Sequence, residues 1–325
     1  MPKATIVVPA YNVADTIAAT LSSLLAQTYQ DFEIVVVDDG GTDRSVAIAR
    51  SFGDPRIRVV QQPNRGLAGA RNTGIANARG VYIGFCDADD LWRPGKLAAH
   101  VEHLDADPTV GLSFSGSQLI DADGTELGVS QSPRLTGITA AHVFRRNPVG
   151  NGSAAVLRRA ALDDIAWRPA TETHRDWWFD ETFRQSEDIE CWLRLALTTD
   201  WQIAGVPGLL TQYRIVAGGL SAAIDRQLAS WERVVTKLGA IAPDFVARHA
   251  PAARAYQLRY LARRAVASGD GAAAWSHSRR AMRQSLRPLW EEPAKTLTTL
   301  GAAAALSAFG PAALTPFHPQ AGVSR

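Results

Sequence analysis

Cysteine is nearly missing from this 325-residue chain, where only Cys86 and Cys191 occur. Two cysteines give neither a disulfide framework nor a metal-ligand spacing, so reduced thiols are the default. Histidine is sparse too: seven are scattered without a recurring ligand spacing, which leaves surface or structural roles. The glycine signatures of phosphate-cradling loops are missing. There is no GxxxxGK[ST], and Gly66-Leu67-Ala68-Gly69 is not GxGxxG, so P-loop phosphoryl transfer and dinucleotide hydride transfer both lose ground. Met1-Pro2-Lys3 leads straight into a strand-like run, so no secretory signal is expected. The one long uncharged stretch, Thr296 to Phe317, is alanine-rich and interrupted by Gly301, Gly310, Pro311 and Pro316. It reads as a helix packed on the protein, with an interfacial membrane contact as the alternative and a true span disfavoured.

What is present is ordinary in amount and uneven in placement. A charged fraction of 20% and a hydrophobic fraction of 46% suit a globular protein, and the length suits one large domain plus an appendage. The net charge of +2 hides a division. Residues 226–325 carry 14 Lys/Arg against 5 Asp/Glu, a net of +9, while residues 1–225 carry 20 against 27, a net of −7. An acidic body with a basic tail is a segmental pattern, and no nucleic-acid partner is expected from it.

Short apolar, β-branched runs recur early: Ala4 to Val8, Glu33 to Val37, Ile57 to Val60 and Val81 to Phe85. Stretches at helical spacing lie between them, such as Ile17, Leu21, Leu24 and Leu25. This rhythm predicts βαβ units, a parallel sheet and right-handed crossovers. Beyond Pro94 the pattern becomes mixed. It predicts a helix over Lys96 to Leu104, a strand over Val110 to Ile120, and over 125–182 a mix of short strands, Gly/Pro breaks and a tryptophan cluster (Trp167, Trp177, Trp178). A strongly amphipathic helix follows Glu187-Asp188, then two strands, Trp201 to Val206 and Leu209 to Ile215. From about Asp225 the chain reads as helical, with breaks at Ala242-Pro243, Ala250-Pro251 and Gly269-Asp270-Gly271.

Three of the early strands end in polar clusters: Pro9-Ala10-Tyr11-Asn12, Asp38-Asp39-Gly40-Gly41 and Asp87-Ala88-Asp89-Asp90. In a parallel sheet these ends share one edge, the edge where open α/β sheets bind ligands. Three acids in four positions after Cys86 are either a site for a hard cation such as Mg2+ or Mn2+, or a solvated acidic turn. Arg71, on the helix next to these acids, has the forked geometry that matches phosphate oxygens.

IVVPAYN (6–12), VVVDDGGTD (35–43), NRGLAGARNTGIANARGVYIGFCDADD (64–90), FDETF (179–183) and SEDIECWLRLA (186–196) resemble, in order and spacing, the family 2 glycosyltransferases. The resemblance covers residues 3–221 and implies a GT-A fold: a Rossmann-like, mixed, mainly parallel α/β sheet flanked by helices. Residues 1–221 would be the catalytic domain, with 1–105 the nucleotide-sugar half and 106–221 the acceptor side. Residues 222–325 would be a C-terminal all-helical extension. The resemblance implies that Tyr11, after Pro9, stacks on the nucleotide base. Asp39 would bond the base edge, with Asp38 supporting the loop. Arg71 would contact the diphosphate. Asp89 would ligate a divalent Mg2+ or Mn2+, with Asp87 on the ribose or the metal shell. Asp188 would be the general base, with Glu187 the runner-up.

Such an enzyme takes a sugar from a nucleotide-sugar donor, UDP- or dTDP-linked, to a saccharide or lipid-linked saccharide acceptor. The transfer inverts the anomeric centre and serves surface polysaccharide synthesis in the cytoplasm; a peripheral contact of the C-terminal region with the inner face of the membrane is the alternative to a purely packed tail. Two departures stand out. Gly41 replaces the usual serine. After Tyr213-Arg214 no histidine follows, so Arg214 or Ser221 would have to take its place, and Gly218 and Gly219 would allow a lid. The rival readings are a degenerate nucleotide-sugar-binding or scaffold protein and a nucleotidyltransferase. The latter predicts a basic glycine-rich loop after the first strand, which Pro9-Ala10-Tyr11-Asn12 is not.

Overall fold

A computed structural model of the protein describes residues 1–215 and 224–310. The expected loop roles of Gly218, Gly219 and Ser221 lie outside the described residues. Two compact units emerge: Met1–Val143 with Asn147–Ala222, and Phe144–Arg146 with Ala223–Arg325.

The first unit opens with β1 (Ala4–Ala10), α1 (Ile17–Leu25), β2 (Phe32–Asp38), α2 (Ser45–Ser51), β3 (Ile57–Gln61), α3 (Gly66–Asn77) and β4 (Tyr82–Phe85). It continues with β5 (Leu91–Trp92), α4 (Lys96–Ala106), β6 (Val110–Ile120), β7 (Glu126–Gln131) and α5 (Ala140–Arg146), whose last three residues count with the second unit. A 3-10 turn (Gly152–Ala154), β8 (Ala155–Arg158), α6 (Arg159–Asp163), α7 (Glu187–Thr198) and β9 (Gln202–Arg214) complete it. All nine strands form one sheet in the order β3-β2-β1-β4-β8-β6-β9-β5, with β7 paired to β6. The pairs β1·β2, β1·β4, β2·β3 and β6·β9 are parallel. Strands β8, β7 and β5 run against their neighbours, so the sheet is the mixed, mainly parallel one expected. Every residue of β1 and β2 is buried, which is why both read as unbroken apolar runs.

Two sequence expectations need correction. The strands over 201–206 and 209–215 are one strand, β9. Pro207 and Gly208 do not end it. They sit in a register shift opposite Gly116, with Gly208 at φ +105°, so the proline is absorbed at a bulge. The antiparallel β5·β9 pair then sets Leu91 beside Gln212, bringing the acidic turn before β5 next to the end of β9. The break at Ala250-Pro251 is also not there: Pro251 lies inside a 25-residue helix. That helix buries Ala252, Ala253, Ala255 and Tyr256 just beyond the proline, and the packed face outweighs the lost hydrogen bond.

Helix α3 is buried along every residue from Ala68 to Ile75, which its small side chains permit. A Cβ at Gly74 would stand 2.1 Å from Val7 Cγ1 on β1. Gly74→Ala is therefore expected to cost about 1–3 kcal/mol by overpacking, read as a lower denaturation midpoint. Gly301→Ala, where an added Cβ meets nothing within 4 Å, is the control and should be neutral or stabilising.

The second unit holds α8 (Ile224–Ile241), α9 (Pro243–Ala267), α10 (Gly271–Gln284), α11 (Arg287–Glu291) and α12 (Pro293–Phe309). Alanines at 265, 274 and 303 form its close-packed centre. Among the described residues no helix is long and apolar enough to cross a membrane.

Candidate active site

The register of the central strands brings the three polar clusters to one edge. Ala10 pairs with Asp38, and Val7 with Phe85, so the chain leaves β1, β2 and β4 at neighbouring points. Pro9 is buried in β1 opposite Val37, and Tyr11 emerges just beyond the strand at 52% exposure. Asn12 takes a left-handed φ of 52°, and its Oδ1 accepts the Thr42 N–H at 2.8 Å. A Cβ at Gly41 would come within 3.2 Å of the Asn12 nitrogen, so glycine suits this tight loop.

Asp38 and Asp39 are both buried and already engaged. Asp38 accepts from the Gly41 N–H at 3.1 Å and from Gln61 Nε2 at 2.9 Å. Asp39 accepts from Gln62 Nε2 at 2.6 Å and from the N–H groups of Arg65 at 2.7 Å and Gly66 at 2.9 Å. It thus satisfies donors at the start of α3, where a carboxylate also meets the positive end of the helix dipole.

Two consecutive residues of α3 organise the rest. Arg71 is only 1% exposed. Its Nη2 donates to Asp87 Oδ1 at 2.8 Å and Oδ2 at 3.1 Å, and its Nη1 donates to Glu187 Oε1 at 2.7 Å. Burial works against its charge, but the carboxylates of Asp87 and Glu187 outweigh that and hold it firmly protonated. Gly152 makes room for it, since a Cβ there would stand 2.3 Å from Nη2. Asn72 ties down the FDETF segment. Its Oδ1 accepts the N–H groups of Trp178 and Phe179 at 3.0 and 2.8 Å, while its Nδ2 donates to Phe179 O and Glu181 Oε1.

Arg71 binds one acid on each side, Asp87 and Glu187, and each of these has a second acid close by in sequence. On the strand side Asp87 is bound to the arginine, and half-buried Asp89 is pushed up to about 6, by burial first and by the Asp87 charge second. Asp90 is fully buried. Its Oδ2 accepts from Ser153 Oγ at 2.5 Å and its Oδ1 from the Arg214 N–H at 2.9 Å, a structural role. On the helix side Glu187 is bound to the arginine. Half-buried Asp188, at the start of α7, is pushed up to about 7 by burial and by Glu187, against the opposing pull of Arg71. Ser186, just before them, has a left-handed φ of 62°, a strained setting of the kind found at functional sites.

Several supporting residues were not legible from the sequence. The Gly152–Ala154 turn carries Ser153, whose Oγ accepts the Asp87 N–H at 2.9 Å while donating to Asp90. Lys96, fully buried beneath this turn, donates to Ala154 O at 3.0 Å and Ser115 Oγ at 3.2 Å, and burial pushes it down to about 7. Tyr213, near the end of β9, is raised by burial and by the charges of Asp90, Asp87, Asp89 and Asp188. The only sequence signal was the small polar run Gly150-Asn151-Gly152-Ser153. Arg214 does not replace the missing histidine. Its guanidinium donates to the carbonyls of Asp89 at 2.7 Å, Asp121 at 2.8 Å and Ala122 at 2.6 Å, and so is committed to the backbone.

The family model for glycosyl transferase family 2 matches residues 5–166. Among curated relatives, the succinoglycan biosynthesis protein ExoO of Rhizobium meliloti (strain 1021) is 33% identical over 231 residues, 68% of this chain and 63% of that protein. The chain therefore spans under two thirds of that relative. The UDP-Glc:alpha-D-GlcNAc-diphosphoundecaprenol beta-1,3-glucosyltransferase WfaP of Escherichia coli is 29% identical over 240 residues, 74% of this chain and 88% of that protein. Among solved structures, the mannosyltransferase PcManGT of Pyrobaculum calidifontis, in complex with GDP-Man and Mn2+, superposes with a TM-score of 0.58 at 22% identity. That match covers 94% of this chain and 86% of the other, and shows a shared fold.

Proposed function

The chain belongs to glycosyl transferase family 2, and from that premise we propose that it is an inverting, metal-dependent glycosyltransferase. It takes a sugar from a UDP- or dTDP-linked donor to a hydroxyl of a saccharide or lipid-linked saccharide, in surface polysaccharide assembly. One observation carries the reading: a single buried arginine binds both Asp87 and Glu187, the close neighbours of Asp89 and Asp188, at the ligand-binding edge of the sheet.

The acids suit a divalent Mg2+ or Mn2+. Burial and the neighbouring Asp87 make the charged form of Asp89 costly, and a dication beside the two carboxylates relieves that cost. Such ions take one or two carboxylates plus substrate phosphates and water. Asp89 would be the ligand, with Asp87 beside it. The ion would supply Lewis-acid neutralisation of the departing diphosphate.

This chain's own residues do the rest. Tyr11, exposed at the end of β1, stacks on the base. Pro9, Asp38 and Asp39 shape the wall beneath it, and Asp39 has lone-pair capacity left after its three bonds. Arg71 acts first as a positioning residue, being 1% exposed with its terminal nitrogens donating to Asp87 and Glu187, while its Nε–H is left over for a further acceptor such as the diphosphate. Glu187 is likewise committed, which leaves Asp188 as the base. With its affinity for protons raised toward neutrality, Asp188 accepts the proton of the acceptor hydroxyl as that oxygen attacks the anomeric carbon.

A panel of UDP-, dTDP-, GDP- and ADP-sugars, each with and without Mn2+, tests this. The expected result is metal-dependent release of nucleoside diphosphate from UDP- or dTDP-sugars. Thermal stabilisation by UDP with no turnover of any donor would instead favour a binding module.

A further inference from the structure

Outside the acidic site, the feature without a role is the outward face of α12. Its inward face is clear: Thr296, Thr299, Ala303 and Leu306 are buried. The helix runs antiparallel to α10. At one end a Cβ on Gly271 would stand 2.6 Å from Leu306 O, and at the other Ser278 and Met282 line a small cavity with Thr296 and Leu300. The opposite side of α12 presents Ala294, Leu297, Gly301 and Ala308, all exposed and at helical spacing. From Thr296 to Gly310 it carries no charge. Trp290, just before the helix, and Phe309, at its end, are each 78% exposed, and Leu297 between them is 58% exposed.

The neighbouring helix supplies the opposite chemistry. Trp275, Ser278, Arg279 and Met282 form one stripe of α10, so the exposed Trp275 and Arg279 lie on the side next to α12. Arg280 and Arg283 continue the exposed basic surface. Exposed aromatic and aliphatic side chains beside arginines are the composition of a segment that lies in a membrane interface. A second copy of the chain would set these arginines against each other, within a segment of net +9. Anionic headgroups complement them.

We infer that the outward face of α12, flanked by the arginines of α10, is a docking surface for anionic phospholipid bilayers. The helix lies along the interface, with Trp290 just before it and Phe309 at its end as its anchors. The inference does not rest on the donor chemistry proposed above.

Co-sedimentation of the full chain with extruded vesicles tests it, comparing phosphatidylglycerol mixed with phosphatidylcholine against phosphatidylcholine alone. The full chain should bind the anionic vesicles, and raising the salt should weaken that binding. Each arginine near the surface contributes roughly fivefold, so the triple variant Arg279→Gln, Arg280→Gln, Arg283→Gln should lose on the order of a hundredfold in partitioning. The double variant Trp290→Ser, Leu297→Ser should also lose binding. Both change exposed residues, and a wild-type thermal melt checks that they fold. Three results overturn the inference: no binding by the full chain, equal binding to neutral vesicles, or binding that survives both variants. So does a full chain that ignores vesicles and forms a dimer which Leu297→Ser dissociates.

Discussion

Replacing Asp188 by asparagine is expected to lower kcat by on the order of a thousandfold while leaving donor affinity nearly unchanged. Asparagine keeps the shape of the side chain and an oxygen to accept the Ile189 N–H, which Oδ1 does at 2.7 Å, but it has no basicity. The loss therefore isolates proton transfer from folding and binding. The pH profile gives a second readout. Asp188 is active when ionised, and its proton affinity is raised from the ordinary aspartate value to about 7. In the wild type, kcat/KM should fall as pH drops through about 7, tenfold per pH unit well below it. In the variant this acid limb should be gone. Steady-state nucleotide release with a saccharide acceptor measures both, and calorimetric titration of the donor checks binding. Near wild-type transfer by the variant would mean that the base lies elsewhere.

Removing the carboxylate of Asp89 by Asp89→Ala should abolish metal-stimulated turnover. Loss of several kcal/mol of leaving-group stabilisation corresponds to roughly a thousandfold or more. The same change should make the protein more stable. Asp89 has a folded-state proton affinity raised above its unfolded one, to about 6, so ionising it destabilises the fold. The sign follows from linkage: the penalty is fully present above about pH 6 and fades toward the unfolded value near 4. At pH 7.5 the variant should therefore gain up to roughly 3 kcal/mol. A higher melting temperature without added metal, together with lost activity, is the expected pairing. A variant that is less stable and equally active would remove Asp89 from the metal site.

How much of this was legible beforehand follows from what kind of force fixes each part. The sheet could be read because β1 and β2 are buried on both faces and leave an unbroken apolar record. The acids could be read because they follow directly from strand ends, where topology alone decides the meeting point. Pro207-Gly208 misled because a bulge and a break use the same residues, and only pairing with β6 separates them. The burial of Arg71 was hidden for another reason. A guanidinium on a helix beside acids suits phosphate as well as carboxylate, and what decides is Glu187, 116 residues away in sequence. Ser153 and Lys96 join main-chain atoms to side chains distant in sequence, which leaves no local pattern to find.

The double ion pair of Arg71 also bears on how the molecule opens. If α7 or the strand-end turn were to peel away alone, the buried guanidinium would keep one carboxylate but lose its hydrogen bonds to the other, leaving buried charged donors unpaired. Leaving such a donor unpaired costs about 1–3 kcal/mol or more, a sizeable share of a domain's total stability. Opening of one side is thus penalised at the other. Amide protons of α3, α7 and the strand-end turn should then exchange together, as a single cooperative unit. The two acid pairs persist or vanish as one.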